Sequence, residues 1–222
     1  MQRRKAPLAP AAARSNRDRT ETTRAALLQA ARELFVQRGY GDTSTPDICA
    51  AAGITRGALY HHFVDKKDLF RHVLHQEAQA VQAAIDAAAP VQLAPQAALR
   101  AGSEAYLDAM TVPGRTRLLL IEGPAALGVA DSLAIDAANA AASLHAGLLE
   151  TGLADANVAV DAIAQLLAAA FDRAALQIDA GADAAATRKA MLWLVQRVTG
   201  SRASASAPAP AQETAPAKRR RR

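Results

Sequence analysis

Residues 43–63 read TSTPDICAAAGITRGALYHHF and contain most of the side chains whose types and spacing suit a binding chemistry. Arg56 is followed by a glycine and an alanine, so one long basic side chain stands beside two almost bare positions where the backbone can approach another surface. Tyr60 and His61 add a hydroxyl and an imidazole that can donate to phosphate oxygens. This combination predicts contact with a groove and backbone of a nucleic acid.

Two short helices joined by a tight turn would place these side chains, and the sequence contains signals for both. Ser44 can cap a helix that begins at about Thr45, and Gly53 can adopt the left-handed conformation that closes it. Thr55 can cap the second helix, which carries Arg56 in its first turn. The pattern predicts a helix-turn-helix, which places its second helix in a DNA groove. The alternative is a small helical hairpin that contacts nothing.

Longer helices flank this unit on both sides. Apolar residues recur at helical spacing over 27–35, and Arg38 followed by glycine is typical of a helix end. After the unit, Asp65 can cap a helix whose apolar face continues to about Ala88. We therefore expect a three-helix head on a long helical stem.

Residues 20–75 resemble the tetracycline-repressor (TetR) family of transcriptional regulators. The resemblance rests on TRAALLQAARELFVQRGY and on TSTPDICAAAGITRGALYHHFVDKKDLF. It implies an all-α fold, with a helix-turn-helix DNA-binding domain over 20–65 joined by a long helix to a helical ligand-binding and dimerisation domain over 66–200. Pro46 and Cys49 differ from the residues most common in the family, but proline is allowed in a first helical turn and cysteine packs as a small hydrophobe.

The resemblance also implies roles for individual side chains at the DNA. Thr55, Arg56 and Gly57 open the second helix, where the family reads base edges, and Arg56 is the candidate for a bidentate contact with a guanine. The residues at positions that touch phosphate in relatives are Ser44, Thr45, Tyr60, His61 and Lys66. His62 either contacts phosphate or packs beneath the second helix, as a satisfied, partly buried histidine does.

The net charge of +5 conceals three blocks of opposite sign. Residues 1–75 contain 13 Lys and Arg against 7 Asp and Glu, residues 76–200 contain 7 against 13, and residues 201–222 contain 6 against 1. A basic head and an acidic body would orient the protein on a polyanion. Charge runs alone are typical of solvated surfaces, so the pattern supports the motif without replacing it.

Two basic tails are predicted to be disordered, residues 1–19 and the Ala/Pro-rich residues 201–222. Three arginines directly precede the first helix, so the N-terminal arm is a candidate for contact with the adjacent minor groove. They are Arg14, Arg17 and Arg19. The C-terminal cluster from Lys218 to Arg222 could hold DNA nonspecifically, bind another anion or only keep the protein soluble.

Composition limits the remaining possibilities. Of the 222 residues 51% are hydrophobic, but only eight are aromatic and alanine is abundant, so close helix packing must supply the core. No apolar run of about 18 residues occurs and no secretory signal is recognisable, so we expect a cytoplasmic protein that does not contact membranes. The single cysteine, Cys49, cannot form an internal disulfide.

Proline and glycine breaks divide the body into five predicted helices, at 95–111, 115–122, 126–151, 157–180 and 183–199. The last two carry the most continuous small and apolar faces. These faces comprise Val158, Ala162, Leu166, Ala169 and Ala170, then Met191, Leu194, Val195 and Val198. In the family the corresponding helices form a four-helix bundle across a dimer axis, although they could instead close the body's own core. Because a palindromic site needs two copies of the motif, we expect a homodimer through these helices.

A small-molecule effector would bind in the body, but pockets leave no regular spacing in a sequence. Polar and aromatic residues within otherwise apolar helices are the candidates to line such a pocket. They are Glu104, Tyr106, Met110, Asn139, Ser143 and His145. Residues of this kind more often lie on the solvent side of a helix.

Metal binding and catalysis have little support. His72 and His75 are three residues apart, with His61 and His62 before them, but no carboxylate or thiolate cluster accompanies them, so we expect no metal and no cofactor. The chain has no glycine-rich phosphate loop, no nucleophile elbow and no HExxH sequence, so we do not expect an enzyme.

Three functions remain compatible with the sequence. The preferred one is a repressor released from a palindromic operator by a small-molecule ligand, which would tilt the stem over 65–88 and change the separation of the two heads. A coupling free energy of about 1–3 kcal/mol between ligand and DNA would suffice. The alternatives are a DNA-binding regulator without a ligand, or a helical small-molecule-binding protein or enzyme with a vestigial head.

Overall fold

The structure, a computed structural model, describes residues 16–153 and 159–200, and both ranges are predominantly helical. The elements are α1 (Asn16–Arg38), α2 (Thr45–Ala52), α3 (Arg56–His62), α4 (Lys66–Ala88), α5 (Pro95–Met110), α6 (Arg115–Arg117), a π-helical turn (Leu118–Glu122), α7 (Gly123–Leu127), α8 (Val129–Ala137), α9 (Ala140–Glu150), α10 (Val160–Asp179) and α11 (Ala184–Gly200). Within the two described ranges, no helix combines the length and the apolar character that a bilayer crossing requires.

The helix ends of the head follow their capping residues, as predicted. Ser44 accepts a hydrogen bond from the backbone of Asp47, and Asp47 accepts one from the backbone of Ser44, which completes a capping box at the start of α2. Gly53 closes α2 with a φ of 66°, and Thr55 and Asp65 cap α3 and α4 through their side chains. The predicted helix-turn-helix is therefore confirmed.

The first helix is longer than the sequence suggested. It begins at Asn16, so Arg17 and Arg19, which we expected in a disordered arm, lie in its first turns. Arg17 pairs with Glu21 one turn later at 3.0 Å, a contact typical of an exposed helix surface. Arg14 and the predicted C-terminal tail, including Lys218 to Arg222, lie outside the described residues.

The single helix predicted over 126–151 was wrong, because the chain forms α8 and α9 there. The break comes at Asn139, whose φ of −131° and ψ of −111° are not helical. Its side-chain amide donates to the carbonyl of Ile135 at 2.6 Å, so it satisfies that helix end itself. Gly128, with a φ of 98°, separates α7 from α8.

One core joins the head to the first part of the body. Its large fully buried members from α1 to α4 include Leu27, Phe35, Ile48, Leu59, Phe63 and Phe70. Leu118, Leu127 and Ile135 of the body complete the same cluster. Each such side chain contributes about 1.5–3 kcal/mol by burial, so the head cannot move without disturbing its contact with the body.

A second core lies in the body, where α5, α9, α10 and α11 pack together. Met191 and Val195, which we expected on a dimer face, are buried in this core, so the prediction for these two positions was wrong. Leu166 remains 73% exposed on α10, and Ala162 and Ala169 are exposed beside it. Val158 lies outside the described residues.

A buried ion cluster ties α1, α4 and α6 together. The Glu77 side chain on α4 accepts hydrogen bonds from Arg32 Nε at 2.7 Å and from Arg115 Nε at 2.7 Å. Both arginines also donate to backbone carbonyls, Arg32 to Pro113 and Arg115 to Ala109. Glu77 is only 6% exposed, so these contacts replace the water that its carboxylate loses on folding.

The C-terminal end of α1 packs closely on the body at two further points. Gly114 has a φ of 77°, and a Cβ there would lie 2.5 Å from both γ-methyl carbons of Val36. The backbone N–H of Tyr40 donates to Glu122 at 3.1 Å, and Arg117 holds the same carboxylate at 2.8 Å. The position of the head therefore depends on α4 and on the segment that follows α5.

Candidate DNA-binding surface and ligand cavities

The two helices of the motif bury one face and expose the other. Ile48, Leu59 and Phe63 are at most 1% exposed. Most predicted DNA contacts lie on the opposite side, where these side chains are exposed: Ser44, Thr55, Arg56, Gly57, Tyr60 and His61. The structure thus brings the predicted residues of α2 and α3 onto one solvent-facing surface.

A polar contact links the start of α2 to the outer face of α3. The hydroxyls of Thr45 and Tyr60 lie 3.4 Å apart. The pKa of Tyr60 is lowered, first by its hydrogen bond with Thr45 and then by Arg56. These three side chains form one polar patch, with donors for phosphate next to the arginine.

The first turn of α3 is open to solvent. Thr55 Oγ1 accepts from the N–H of Ala58 at 3.3 Å, which leaves the hydroxyl proton free for another acceptor. A Cβ added at Gly57 would meet nothing within 4 Å. Arg56, exposed between them, projects from a turn that another surface can approach closely.

Lys66 differs from its neighbours in having strong contacts within the head. Its ammonium group donates to the carbonyl oxygens of Tyr40 at 2.8 Å and Thr43 at 2.9 Å. The same nitrogen lies 4.2 Å from the centre of the Tyr40 ring. Only one of its three N–H bonds remains for phosphate, so Lys66 first of all holds the loop between α1 and α2.

His62 has the contacts of a packed side chain. Its ring centre lies 6.2 Å from that of Phe63, and burial is the main cause that lowers its pKa, followed by His61 and Arg24. Arg24 on α1 reaches the same place, with its guanidinium carbon 5.4 Å from the centre of the Phe63 ring. Nothing in the local sequence of α1 predicts that this extra basic residue lies beside α3.

Two of the cavities in the described part of the body reach the stem α4. The first, of about 230 Å³, lies between α4, α5, α9 and α10, and the second, of about 260 Å³, is bounded by α4, α5, α8 and α10. They share a wall made by Tyr106, Asp136, Ala140 and Asp172. The remaining lining is mostly apolar, which is typical of small-molecule sites.

Four of the six predicted ligand residues line these cavities. Tyr106 borders both, Met110 and Asn139 border the second, and Ser143 borders the first. Asn139 already uses its amide in the helix end described above.

The other two predicted ligand residues lie elsewhere, and each contacts a charged side chain at the surface. Glu104 accepts from Arg100 one turn earlier on α5, at 3.1 Å. His145 Nε2 lies 2.8 Å from Asp161 on α10. Neither of them lines the two cavities.

The shared wall contains two carboxylates that the sequence analysis did not select. Asp172 accepts a hydrogen bond from the Tyr106 hydroxyl at 2.7 Å. Burial, followed by the charge of Asp172, raises the pKa of Asp136 to about 6. Burial also raises the pKa of Asp172 and, together with that carboxylate, raises the pKa of Tyr106. Asp136 lies in α8 and Asp172 in α10.

The histidines considered as metal ligands have other contacts. His72 Nδ1 lies 2.9 Å from the carbonyl oxygen of Asp68, and the Phe63 ring packs edge-on against its imidazole. Over residues 16–153 and 159–200, no group of three or more His, Cys, Asp or Glu side chains is arranged to hold a metal ion.

The fold and this surface define a helix-turn-helix DNA-binding protein with a helical body. Two family profiles match the chain, "Bacterial regulatory proteins, tetR family" over residues 27–73 and "Tetracyclin repressor-like, C-terminal domain" over residues 96–201. The crystal structure of a TetR-family transcriptional regulator from Pectobacterium atrosepticum is 31% identical, with a TM-score of 0.62, and the match covers 82% of this chain and 94% of that one. The chain therefore belongs to the TetR family.

Curated relatives match over shorter stretches of the chain. The transcriptional regulator AcrR of Shigella flexneri is 46% identical over 61 residues, which are 28% of each chain. The regulator TtgR of Pseudomonas putida is 32% identical over 104 residues, 44% of this chain and 50% of that one. The matched segments thus span about a quarter to a half of the length of these relatives.

Proposed function

We propose that this protein is a transcriptional repressor that binds a palindromic operator as a homodimer and is released by a small molecule. The observation that carries the proposal is the exposed polar surface of α2 and α3, held by a buried face in a member of the TetR family. Such a repressor acts in the cytoplasm, where the bacterial chromosome lies.

The DNA contacts divide into two kinds. Thr55, Arg56 and Gly57 read base edges, because they open α3 and leave its first turn free for close approach. The positioning contacts to phosphate come from Ser44, Thr45, Tyr60, His61 and the remaining N–H of Lys66. Selection of bound fragments from the source genome tests this function, and recovery of random fragments would contradict sequence-specific binding.

Dimerisation uses the outer faces of α10 and α11. Leu166 and Trp193 are 73% and 56% exposed, so the outer faces of these two helices present large apolar side chains that a second copy of the chain can cover. Leu166→Glu should convert the dimer to a monomer in analytical ultracentrifugation. Val91→Glu is the matched control, because Val91 is 98% exposed in the loop after α4. A wild-type monomer at micromolar concentration would contradict the proposal.

Ligand release works through α4, which is part of both the head and the cavities. Its N-terminal half supplies Leu69 and Phe70 to the core of the head, and farther along Val81 and Ile85 border the second and first cavities. A ligand that changes the packing of this helix therefore changes the position of the head.

A screen by thermal shift, followed by measurement of operator release, tests the ligand step. We expect compounds that stabilise the protein to lower its affinity for the operator. If compounds bind in the cavities and never change operator affinity, release by a small molecule fails, and a DNA-binding regulator without an effector is the function that remains.

A further inference from the structure

The shared wall of the two cavities is acidic. The two linings include Asp86, Asp136, Glu150 and Asp172, and neither lining contains a lysine, arginine or histidine. Asp86 and Glu150 are exposed at the edge of the first cavity, whereas Asp136 and Asp172 are partly buried on the shared wall. A molecule in either cavity therefore meets negative charge without a protein cation beside it.

Protein groups only partly satisfy these carboxylates. Asp172 accepts from the Tyr106 hydroxyl, and Asp136 accepts from the backbone N–H of Ala141. Among the residues that the structure describes, the ion pairs do not include either of them. Two neighbouring carboxylates away from bulk water are unfavourable together unless a positive charge joins them.

Aromatic rings lie next to the same wall. Tyr106 and Phe171 pack edge to face with ring centres 5.5 Å apart, and both line the first cavity. Aromatic faces attract organic cations, and the hydrogen bond to Asp172 keeps the Tyr106 ring at the carboxylates.

The rest of the lining suits a ligand that is mostly apolar. Leu74, Val81 and Leu176 line the second cavity, together with Ser132, whose buried hydroxyl has no hydrogen-bond partner in the described part of the chain. A metal ion would require a cluster of ligands, which the described ranges do not contain. The chemistry therefore favours an amphipathic organic molecule over an inorganic cation.

We propose that Asp136 and Asp172, beside Tyr106, bind the positively charged nitrogen of an organic cation whose apolar body fills the adjoining cavities. This inference rests on the proposed function, because it names the chemical class of the effector for the same cavities. The carboxylates supply the attraction, and the apolar lining supplies affinity for the rest of the molecule.

Two probes of equal shape test the charge requirement. Benzyltrimethylammonium and neopentylbenzene differ only in a quaternary nitrogen in place of a quaternary carbon. We expect the wild type to bind the cation at least about ten-fold more tightly in saturation-transfer NMR and calorimetry. Cation binding should also weaken as the pH falls from 7 to 5, because Asp136 becomes protonated in this range. The other titratable groups that line the first cavity with it are Asp86, Glu150, Asp172 and Tyr106.

Two sets of variants locate the interaction. The double variant Asp136→Asn and Asp172→Asn should lose the preference for the cation and keep its binding of neopentylbenzene, which also shows that it is folded. Glu104→Gln on the outer side of α5 should leave the preference unchanged. Equal binding of both probes to the wild type, no binding of the cation, or a preference that survives in the double variant would overturn the inference.

Operator release separates this inference from the proposed function. If the cation binds through the two carboxylates and DNA affinity stays constant, the cation site stands and ligand-controlled repression fails. If an uncharged compound binds the cavities and releases DNA, while the protein binds the cation no more tightly than neopentylbenzene, ligand-controlled repression stands and the cation site fails.

Discussion

Replacing Glu77 with alanine should destabilise the protein strongly, because this side chain holds α1 and α6 on α4. The change removes three hydrogen bonds, from Arg32 at 2.7 and 3.3 Å and from Arg115 at 2.7 Å. Burial alone would raise the pKa of Glu77, but the hydrogen bonds from the two arginines outweigh it, and the net pKa is lowered. The carboxylate is therefore well compensated in the folded state.

The cost comes mainly from the arginines that remain. Removing one partner of a buried pair costs about 3–5 kcal/mol. The Arg32 side chain is 28% exposed and can regain water, whereas that of Arg115 is 10% exposed and cannot. We therefore expect the lower end, about 3 kcal/mol in the free energy of unfolding.

Urea unfolding followed by circular dichroism measures this loss. The matched control is Glu104→Ala, which breaks an ion pair of similar length at the surface, 3.1 Å from Arg100 with side chains 45% and 71% exposed. It should cost at most about 0.5 kcal/mol. If Glu77→Ala costs as little as the control, the ion cluster does not hold the head on the body.

Three further changes follow from the same geometry. Gly114→Ala should destabilise the protein by about 1–3 kcal/mol in urea unfolding, because the new Cβ strains a positive φ and meets Val36; an unchanged midpoint would contradict this. Lys66→Met should lower the melting temperature as well as DNA affinity, whereas Lys67→Met, at an exposed neighbour, should leave the melting temperature unchanged. As the pH rises from about 4 to 6, the free energy of unfolding of the wild type should fall by up to about 3 kcal/mol relative to Asp136→Asn, because the folded state holds the Asp136 carboxyl proton more tightly than the unfolded chain does. Parallel stability profiles of the two proteins over this pH range would exclude a raised pKa of Asp136.

The sequence predicted the head well, because its signals are local. Ser44, Gly53, Thr55 and Asp65 each act within about one helical turn, through a hydroxyl, a carboxylate or a permissive φ. The buried positions followed from helical spacing. Lys66 was different, because its carbonyl partners lie on the loop before α2, so its contacts within the head appear only in the folded protein.

The body was harder to predict, because its apolar pattern is made largely of alanine. The break between α8 and α9 depends on the side-chain amide of Asn139, which donates to the carbonyl of Ile135 one turn earlier. The spacing of apolar residues does not predict this hydrogen bond. The acidic wall arises where α8 and α10 meet, and Asp136 and Asp172 are far apart in the chain. Tyr106 could be predicted as a cavity residue, because an aromatic side chain in an otherwise apolar helix is a candidate to line a pocket without any partner being known.

The affinity of Arg56→Ala for operator DNA and for random DNA decides whether α3 reads the DNA sequence. If Arg56 reads a base pair, its removal should weaken operator binding by about 1–3 kcal/mol and relax the preference at one position, with little change on random DNA. Arg100→Ala, an exposed arginine on the body, should change neither affinity. Equal losses on operator and random DNA for Arg56→Ala would contradict the account, because they would make Arg56 a phosphate contact.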